Sequence, residues 1–444
     1  MRKWKILLSG LMTATLLTGC STGQAAEEEK VTPVIPNKQD LKIAVSTDIH
    51  YLAPELTDGG PAFQKYVANG DGKQLAYSDQ ITDAFFEQVE KQQADILILS
   101  GDLTNNGEKA SHEELAEKLT AVEKAGTDVY VIPGNHDINN PWARSFSGDE
   151  QQVTDDITPE DFEKIYQAFG YEEAISRDAY SLSYLAPASK DVWLLMLDTS
   201  IYDSNKQVGS PTTEGGLTTG TLEWVDEMAK LADKQGAKIV PVMHHNLTDH
   251  SSVIQDGYTI NYADNVVETF ADCGFEFSLS GHIHTQNIAT ATAENGTQIT
   301  DIVTNALSVY PHKYGMIDYH HDKKQFDYTA KPLDMEAWAR EHQAADPNLL
   351  QFDTFDYETF YQNGYNKAME DLSTNQVLKN YSDDDKQKMA DTMAIDNMCF
   401  FAGEEPPKTA GDTLWQEAPD SFLRDYIVST QLPLKQDNNH WTSK

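Results

Sequence analysis

The chain has 444 residues, 39% hydrophobic and 10% aromatic, enough to bury a large core and to form more than one folded body. Its formal net charge of -38 repels nucleic acid and anionic lipid headgroups at long range, which argues against a long polyanion as partner. A small anion is not excluded, because bound cations would dominate the field close to a site.

The N-terminus reads as a targeting signal. Arg2-Lys3-Trp4-Lys5 is a basic start, and the mostly apolar run 6–17 is too short to span a bilayer as a mature helix. The run ends in Leu17-Thr18-Gly19-Cys20, which resembles the lipobox of bacterial lipoproteins. That resemblance implies removal of residues 1–19, lipidation of the Cys20 thiol, and a place on the extracytoplasmic face of the cell membrane held by acyl chains alone. Residues 20–40 read as a flexible tether reaching at most about 65 Å. Cys273 and Cys399, far apart in sequence, give no disulfide framework, and Cys273 reads as a small buried apolar residue.

From 41 to 330, strand-like and helix-like runs alternate, which predicts an α/β sandwich. Runs 41–46, 95–99, 128–132, 238–243 and 275–279 have the composition of strands buried on both faces. Helices are predicted over 78–93, 111–124, 159–169, 221–234 and 263–272, with Ser78, Ser111 (Glu114 three residues on) and Thr221 as caps. Two long polar stretches, 51–77 and 141–155, read as loops that wall a pocket. They carry Tyr51, Tyr66, Tyr77 and Trp142, whose rings suit either base stacking or ordinary loop packing. Residues 331–435 predict a small helical domain, with helices over 335–343, 357–372, 383–401 and 421–429, followed by a tail at 436–444.

Each of the five strand-like runs is followed at once by residues suited to chemistry: Asp48 and His50, Asp102, Asn135 and His136, His244, then His282 and His284. Ligands collect beyond the carboxyl ends of strands in α/β sheets. Seven of these side chains can converge as an oxygen- and imidazole-rich cage for two metal ions, the equipment for hydrolysing a phosphate ester. Gly101 permits a tight turn that leaves Asp102 free to bridge two cations. Asn135 offers a carbonyl to hard or borderline cations, and Asp137 is placed to orient His136. Gly281-His282-Ile283-His284 offers two imidazoles to two different metals.

In order and spacing, Asp48-x-His50, Gly101-Asp102, Gly134-Asn135-His136-Asp137, the histidine ending Ile239 to His244, and Gly281-His282-x-His284 resemble the calcineurin-like metallophosphoesterase superfamily over roughly residues 41–320. The resemblance implies a four-layer αββα sandwich, ahead of the helical domain. It implies one metal held by Asp48, His50 and His284, a second by Asn135, His244 and His282, and Asp102 bridging both. His245 would be a structural neighbour. Manganese or iron is the implied metal, and zinc or cobalt suits the same ligands. The implied reaction is in-line attack by a hydroxide held between the cations, with His136 as general acid toward the leaving oxygen and Asp137 behind it. Pro133-Gly134 stands where Ser/Thr protein phosphatases carry arginine, and Asn105 where purple acid phosphatases carry a ligand tyrosine. Gly101-Asp-Leu-Thr-x-x-Gly107 resembles the bacterial cyclic-nucleotide and glycerophosphodiester phosphodiesterases, so small phosphodiesters such as cyclic nucleotides are the expected substrates. The alternatives are a phosphomonoesterase or nucleotidase, and a surface binding module that lacks turnover.

Overall fold

The computed structural model describes residues 39–70 and 72–444, so the signal segment, Cys20 and most of the tether lie outside the described residues. Two mixed sheets face each other. The first runs in spatial order His440–Thr442, Gln325–Pro332, Lys313–His320, Leu41–Ser46, Ile96–Ser100 and Asp128–Ile132, the last three parallel. The second runs Asn287–Thr292, Gln298–Val303, Phe277–Ser280, Lys238–Val242, Val192–Met196, Tyr184–Pro187 and Ser176–Arg177, with a parallel centre.

Alternation along the second sheet explains the layering. Val192, Leu194, Met196, Val240 and Val242 join the core shared with the first sheet. Trp193, Leu195, Ile239 and Met243 point the other way, into a cluster with Trp224, Val225 and Phe270 of helices Thr219–Gln235 and Ala263–Asp272. Helices Ser78–Lys91 and Lys109–Ala125 add Phe85, Val89, Leu115 and Leu119 to the core of the first sheet. The result is helix on sheet on sheet on helix, followed by the C-terminal helices, the longest being Phe352–Thr374 and Asp383–Ala402.

Several local expectations are corrected. Ser78 and Ser111 lie inside their helices and cap nothing. Their hydroxyls instead accept from Leu52 N (3.3 Å) and Ala53 N (3.0 Å), pinning the chain that leaves His50. Thr221 is likewise not a cap; Thr218 is, accepting from Thr221 N at 3.0 Å. The stretches 51–77 and 141–155 are not plain loops: the first holds helix Pro61–Ala68, and the second the hairpin Arg144–Ser147 and Glu150–Val153. They meet through Phe146, whose ring centroid lies 5.3 Å from Phe63 and 4.9 Å from Tyr66. Residues 436–444 contain the strand His440–Thr442, because Trp441 has an apolar seat on Phe277, centroids 4.8 Å apart, and pairs opposite Tyr328. Among the described residues no helix is long and apolar enough to cross a membrane.

Candidate metal centre

The ladders of both sheets continue past the strand ends and carry the polar residues with them. Asp48 N donates to Gly101 O and His50 N to Asp102 O, both at 3.0 Å, so the first two ligand loops stay side by side. In the second sheet Gly281 N donates to His244 O at 3.0 Å. Ligand carboxylates also accept across ligand loops, Asp48 Oδ2 from His282 N (2.9 Å) and Asp102 Oδ1 from His136 N (2.8 Å). Asp48, His50, Asp102, His282 and His284 all have φ between 47° and 68°, the left-handed region. Each costs about 1 kcal/mol or more for a non-glycine residue, which the surrounding ladders offset. Gly134 allows the close approach: a Cβ there would lie 2.2 Å from Asp102 N and Oδ1.

The donors form two groups that share Asp102: Asp48, His50, Asp102 and His284, and Asp102, His244 and His282. His50 Nε2 is 3.2 Å from His284 Nε2 and 3.7 Å from Asp102 Oδ2, and His284 Nε2 is 3.3 Å from Asp48 Oδ1. In the second group His244 Nε2 is 3.5 Å from Asp102 Oδ2 and 3.1 Å from Asn135 Oδ1. Ligands about 2.1 Å from one cation and about 90–109° apart stand roughly 3.0–3.4 Å from each other; the 3.1, 3.2 and 3.3 Å spacings are such coordination-shell edges, and the two from Asp102 Oδ2, 3.5 and 3.7 Å, are slightly wider.

The chemistry of the donors fits cations as well. Asp48 Oδ1 is buried and has no hydrogen-bond partner, yet faces two imidazoles. The far nitrogens of two histidines sit on backbone carbonyls, His244 Nδ1 on Ser100 O and His282 Nε2 on Gly257 O, both at 3.0 Å. Those contacts fix the tautomers and turn lone pairs inward. Burial, then the charge of Lys73, holds His50 well below its ordinary value, and burial takes His282 down to about 3, so both stay neutral. Burial alone would raise the Asp102 carboxyl, but the charge of His244 and then of His136 outweighs it and holds it well below the usual range. Burial opposes a proton on His244 too, yet Asp102 draws it up to about 9. The pair demands positive charge between its members.

The structure therefore brings Asp48, His50, Asp102, Asn135, His244, His282 and His284 together. His245 stands aside with both nitrogens engaged, Nδ1 with Thr199 Oγ1 (2.7 Å) and Nε2 with Thr213 O (3.0 Å). His136 is half-buried at the rim, its ring 5.1 Å from that of His50. Its orientation corrects one expectation. Nδ1 bonds Asn105 O and Asn106 Oδ1, both at 3.0 Å, and not Asp137. Asp137 is a backbone staple: it accepts from Gly134 N (2.8 Å), Leu103 N (3.1 Å) and Thr104 N (3.0 Å), tying the Asp102 turn to the Asn135 turn. Adjacency in Asn-His-Asp carries no such information, since it cannot say which backbone amides a carboxylate faces.

His136 also lines a cleft of about 490 Å³ with Tyr66, Asn106, Trp142, Lys65, Lys73 and the hairpin residue Gln151. Of the four loop aromatics, Tyr66 and Trp142 reach it. Tyr51 is buried with its hydroxyl on Asp79, and Tyr77 bonds Asp346 and Asn348 of the helical region. Sequence reasoning missed Asn106 as a clamp on His136; an asparagine pair between Asp102 and Gly107 was the available signal.

Residues 41–286, more than half of the chain, match the family of calcineurin-like phosphoesterases. The chain belongs to that family. Residues 334–436 of this phosphoesterase match the C-terminal domain of cyclic nucleotide phosphodiesterase. Among solved structures it is similar to a dimetal phosphatase from Danio rerio, at 13% identity and TM-score 0.44 over 66% of this chain and 96% of that one. It is also similar to GAP50, the anchor in the inner membrane complex of Plasmodium, at 11% identity and TM-score 0.36 over 67% of this chain and 86% of that one. No curated protein matches the phosphoesterase.

Proposed function

We propose that this phosphoesterase hydrolyses small phosphodiesters, cyclic nucleotides foremost, with manganese or iron in the centre. The observation that carries this reading is the sharing of Asp102 by two donor groups, with the His50 ring 5.1 Å from that of His136, which lines a cleft with Tyr66 and Trp142. When bound, the pair of cations supplies Lewis acidity and a nucleophile at neutral pH. Asp48, His50 and His284 would hold one and Asn135, His244 and His282 the other, with Asp102 between them. The chain's own part is orientation and proton delivery. With Nδ1 of His136 donating to Asn105 O, a proton given to the leaving oxygen departs from Nε2. The Tyr66 and Trp142 rings offer apolar faces for a nucleoside, and Lys65 and Lys73 offset the acidic surface around an incoming anion. The C-terminal match to cyclic nucleotide phosphodiesterase supports a diester over a monoester.

Turnover of bis-p-nitrophenyl phosphate, p-nitrophenyl phosphate and cyclic mononucleotides by the manganese-loaded protein tests this. Diesters should turn over faster, and faster monoester turnover would overturn the reading in favour of a monoesterase. The same proposal places the enzyme outside the membrane on a lipid anchor at Cys20. Cys20→Ala should move it from the membrane to the soluble fraction, and continued membrane association would refute the anchor.

A further inference from the structure

Two loops hold metal-ligand residues in place from behind, and both rest on the helical region. The first spans 304–312. Ser308 Oγ donates to Asp48 O (2.8 Å), Leu307 N to Thr47 O (3.1 Å), and Asn305 Nδ2 to His284 O (2.7 Å). One short loop thus fixes the backbone of two ligands of the same cation. Its apolar side, Ala306 and Val309, forms a separate buried cluster with Phe360 and Met398 of helices Phe352–Thr374 and Asp383–Ala402. The Phe360 ring stacks on Tyr310 at 5.3 Å. The second loop spans 246–260. Gly257 O accepts a hydrogen bond from His282 Nε2 at 3.0 Å, and the Tyr258 ring lies 5.0 Å from that imidazole. Val253 and Ile254 of this loop pack against the helical core that contains Leu372, Met389, Trp415 and Ile427.

We propose that the helical region is a brace with two seats, one for each cation. Phe360 is a positioning residue for Asp48 and His284, and Ile254 one for His282; neither touches a metal or substrate. Coordination tolerates only a fraction of an ångström of ligand drift, and outer-shell partners change metal affinity by about 10–100-fold. A loop released from its seat keeps its ligand but lets it wander. This inference rests on the metal centre alone and stands whichever ester the enzyme cleaves.

The test is manganese titration of the full chain by calorimetry, with metal counted per chain after gel filtration. Phe360→Ala and Ile254→Ala should each weaken binding about tenfold or more. In a His50→Ala background, which disables the first donor group, Ile254→Ala should weaken the remaining binding step and Phe360→Ala should leave it unmoved. Leu119→Ala, in the core of the first sheet, controls for stability: it should lower the unfolding temperature and leave metal affinity unchanged. Wild-type affinity in both seat variants would overturn the brace, and so would an equal loss in Leu119→Ala. If Phe360→Ala fails to fold, Phe360→Leu takes its place, with a smaller loss in the same order.

Discussion

The strand ends and the walls around them are built in opposite ways. The ligand residues at the strand ends are almost all fully buried, five of the seven sit in left-handed backbone, and they are tied by bonds that run from strand to strand. The walls, 51–77 and 141–155, are local constructions, a short helix and a hairpin that meet through Phe63, Tyr66 and Phe146, and they present partly exposed side chains to the cleft. Rigid placement is what bond-breaking needs, and an open, variable wall is what substrate choice needs. The comparison is sharp enough to break: changes at the strand ends should act on kcat, and changes in the walls on KM.

The largest effect is expected at the residue both donor groups share. Asp102→Asn keeps the shape and removes the charge that two cations would share. Hydrolysis of bis-p-nitrophenyl phosphate should fall on the order of 10³-fold or more, with less metal retained per chain. Wild-type turnover in that variant would place the chemistry elsewhere. Next comes His136→Ala, expected to lower kcat about 10²- to 10⁴-fold on cyclic nucleotides. The loss should be smaller on p-nitrophenyl esters, whose leaving group needs little help from a proton. Equal losses on both would remove the general-acid role.

One variant in the loop after a strand end and one in a wall then sharpen the contrast. Asn106→Ala deletes one acceptor of His136 Nδ1 and the bond from Asn106 to the Tyr66 hydroxyl (2.9 Å). A bond of this kind is worth about 1 kcal/mol, so kcat should drop roughly fivefold with KM little changed. Trp142→Ala should do the reverse, raising KM a few-fold for cyclic nucleotides while sparing kcat. A kcat effect from Trp142→Ala equal to that of Asn106→Ala would erase the division between ends and walls.

How much of this was legible in the sequence follows the same division. A strand buried on both faces announces itself as an apolar run, and a carboxylate or imidazole at its end has few other reasons to be there. Ile96–Ser100 followed by Gly101-Asp102 is such a case. The walls gave no periodic signal, because helix Pro61–Ala68 and the hairpin owe their form to each other. Backbone partners were invisible too. Nothing in the residue types showed that Ser308 and Asn305 hold Asp48 and His284, or that Asp137 staples amides and leaves His136 to Asn105 and Asn106. Ser78 and Ser111 looked like helix caps because the hydroxyl is right and the position nearly so, but tertiary contacts with Leu52 and Ala53 claimed them.

The smallest expected effect is a slope in pH, at the point where a wall is fastened to the helical region. Asp356 accepts from Gln74 Nε2 at 2.8 Å and faces His312 Nε2 at 3.1 Å, all three buried. Burial pulls His312 down, but the Asp356 charge and hydrogen bond outweigh it, helped by Leu307 O and the charge of Asp353, and raise it above its ordinary 6.5. A group raised on folding stabilises the fold fully below its unfolded value and ceases to do so as pH climbs through the folded one. This contribution is therefore present below about 6.5 and fades above it. Whole-protein stability cannot isolate it, because burial also raises Asp198 to about 6 and Glu123 to about 7, and those carboxyls lose stability in the same direction. The difference between wild type and Asp356→Asn can. Unfolding midpoints measured from about pH 6 to about pH 9 should show a gap that is widest at the acidic end and narrows as His312 loses its proton. A gap constant across that range would mean that Asp356 holds the wall through Gln74 alone.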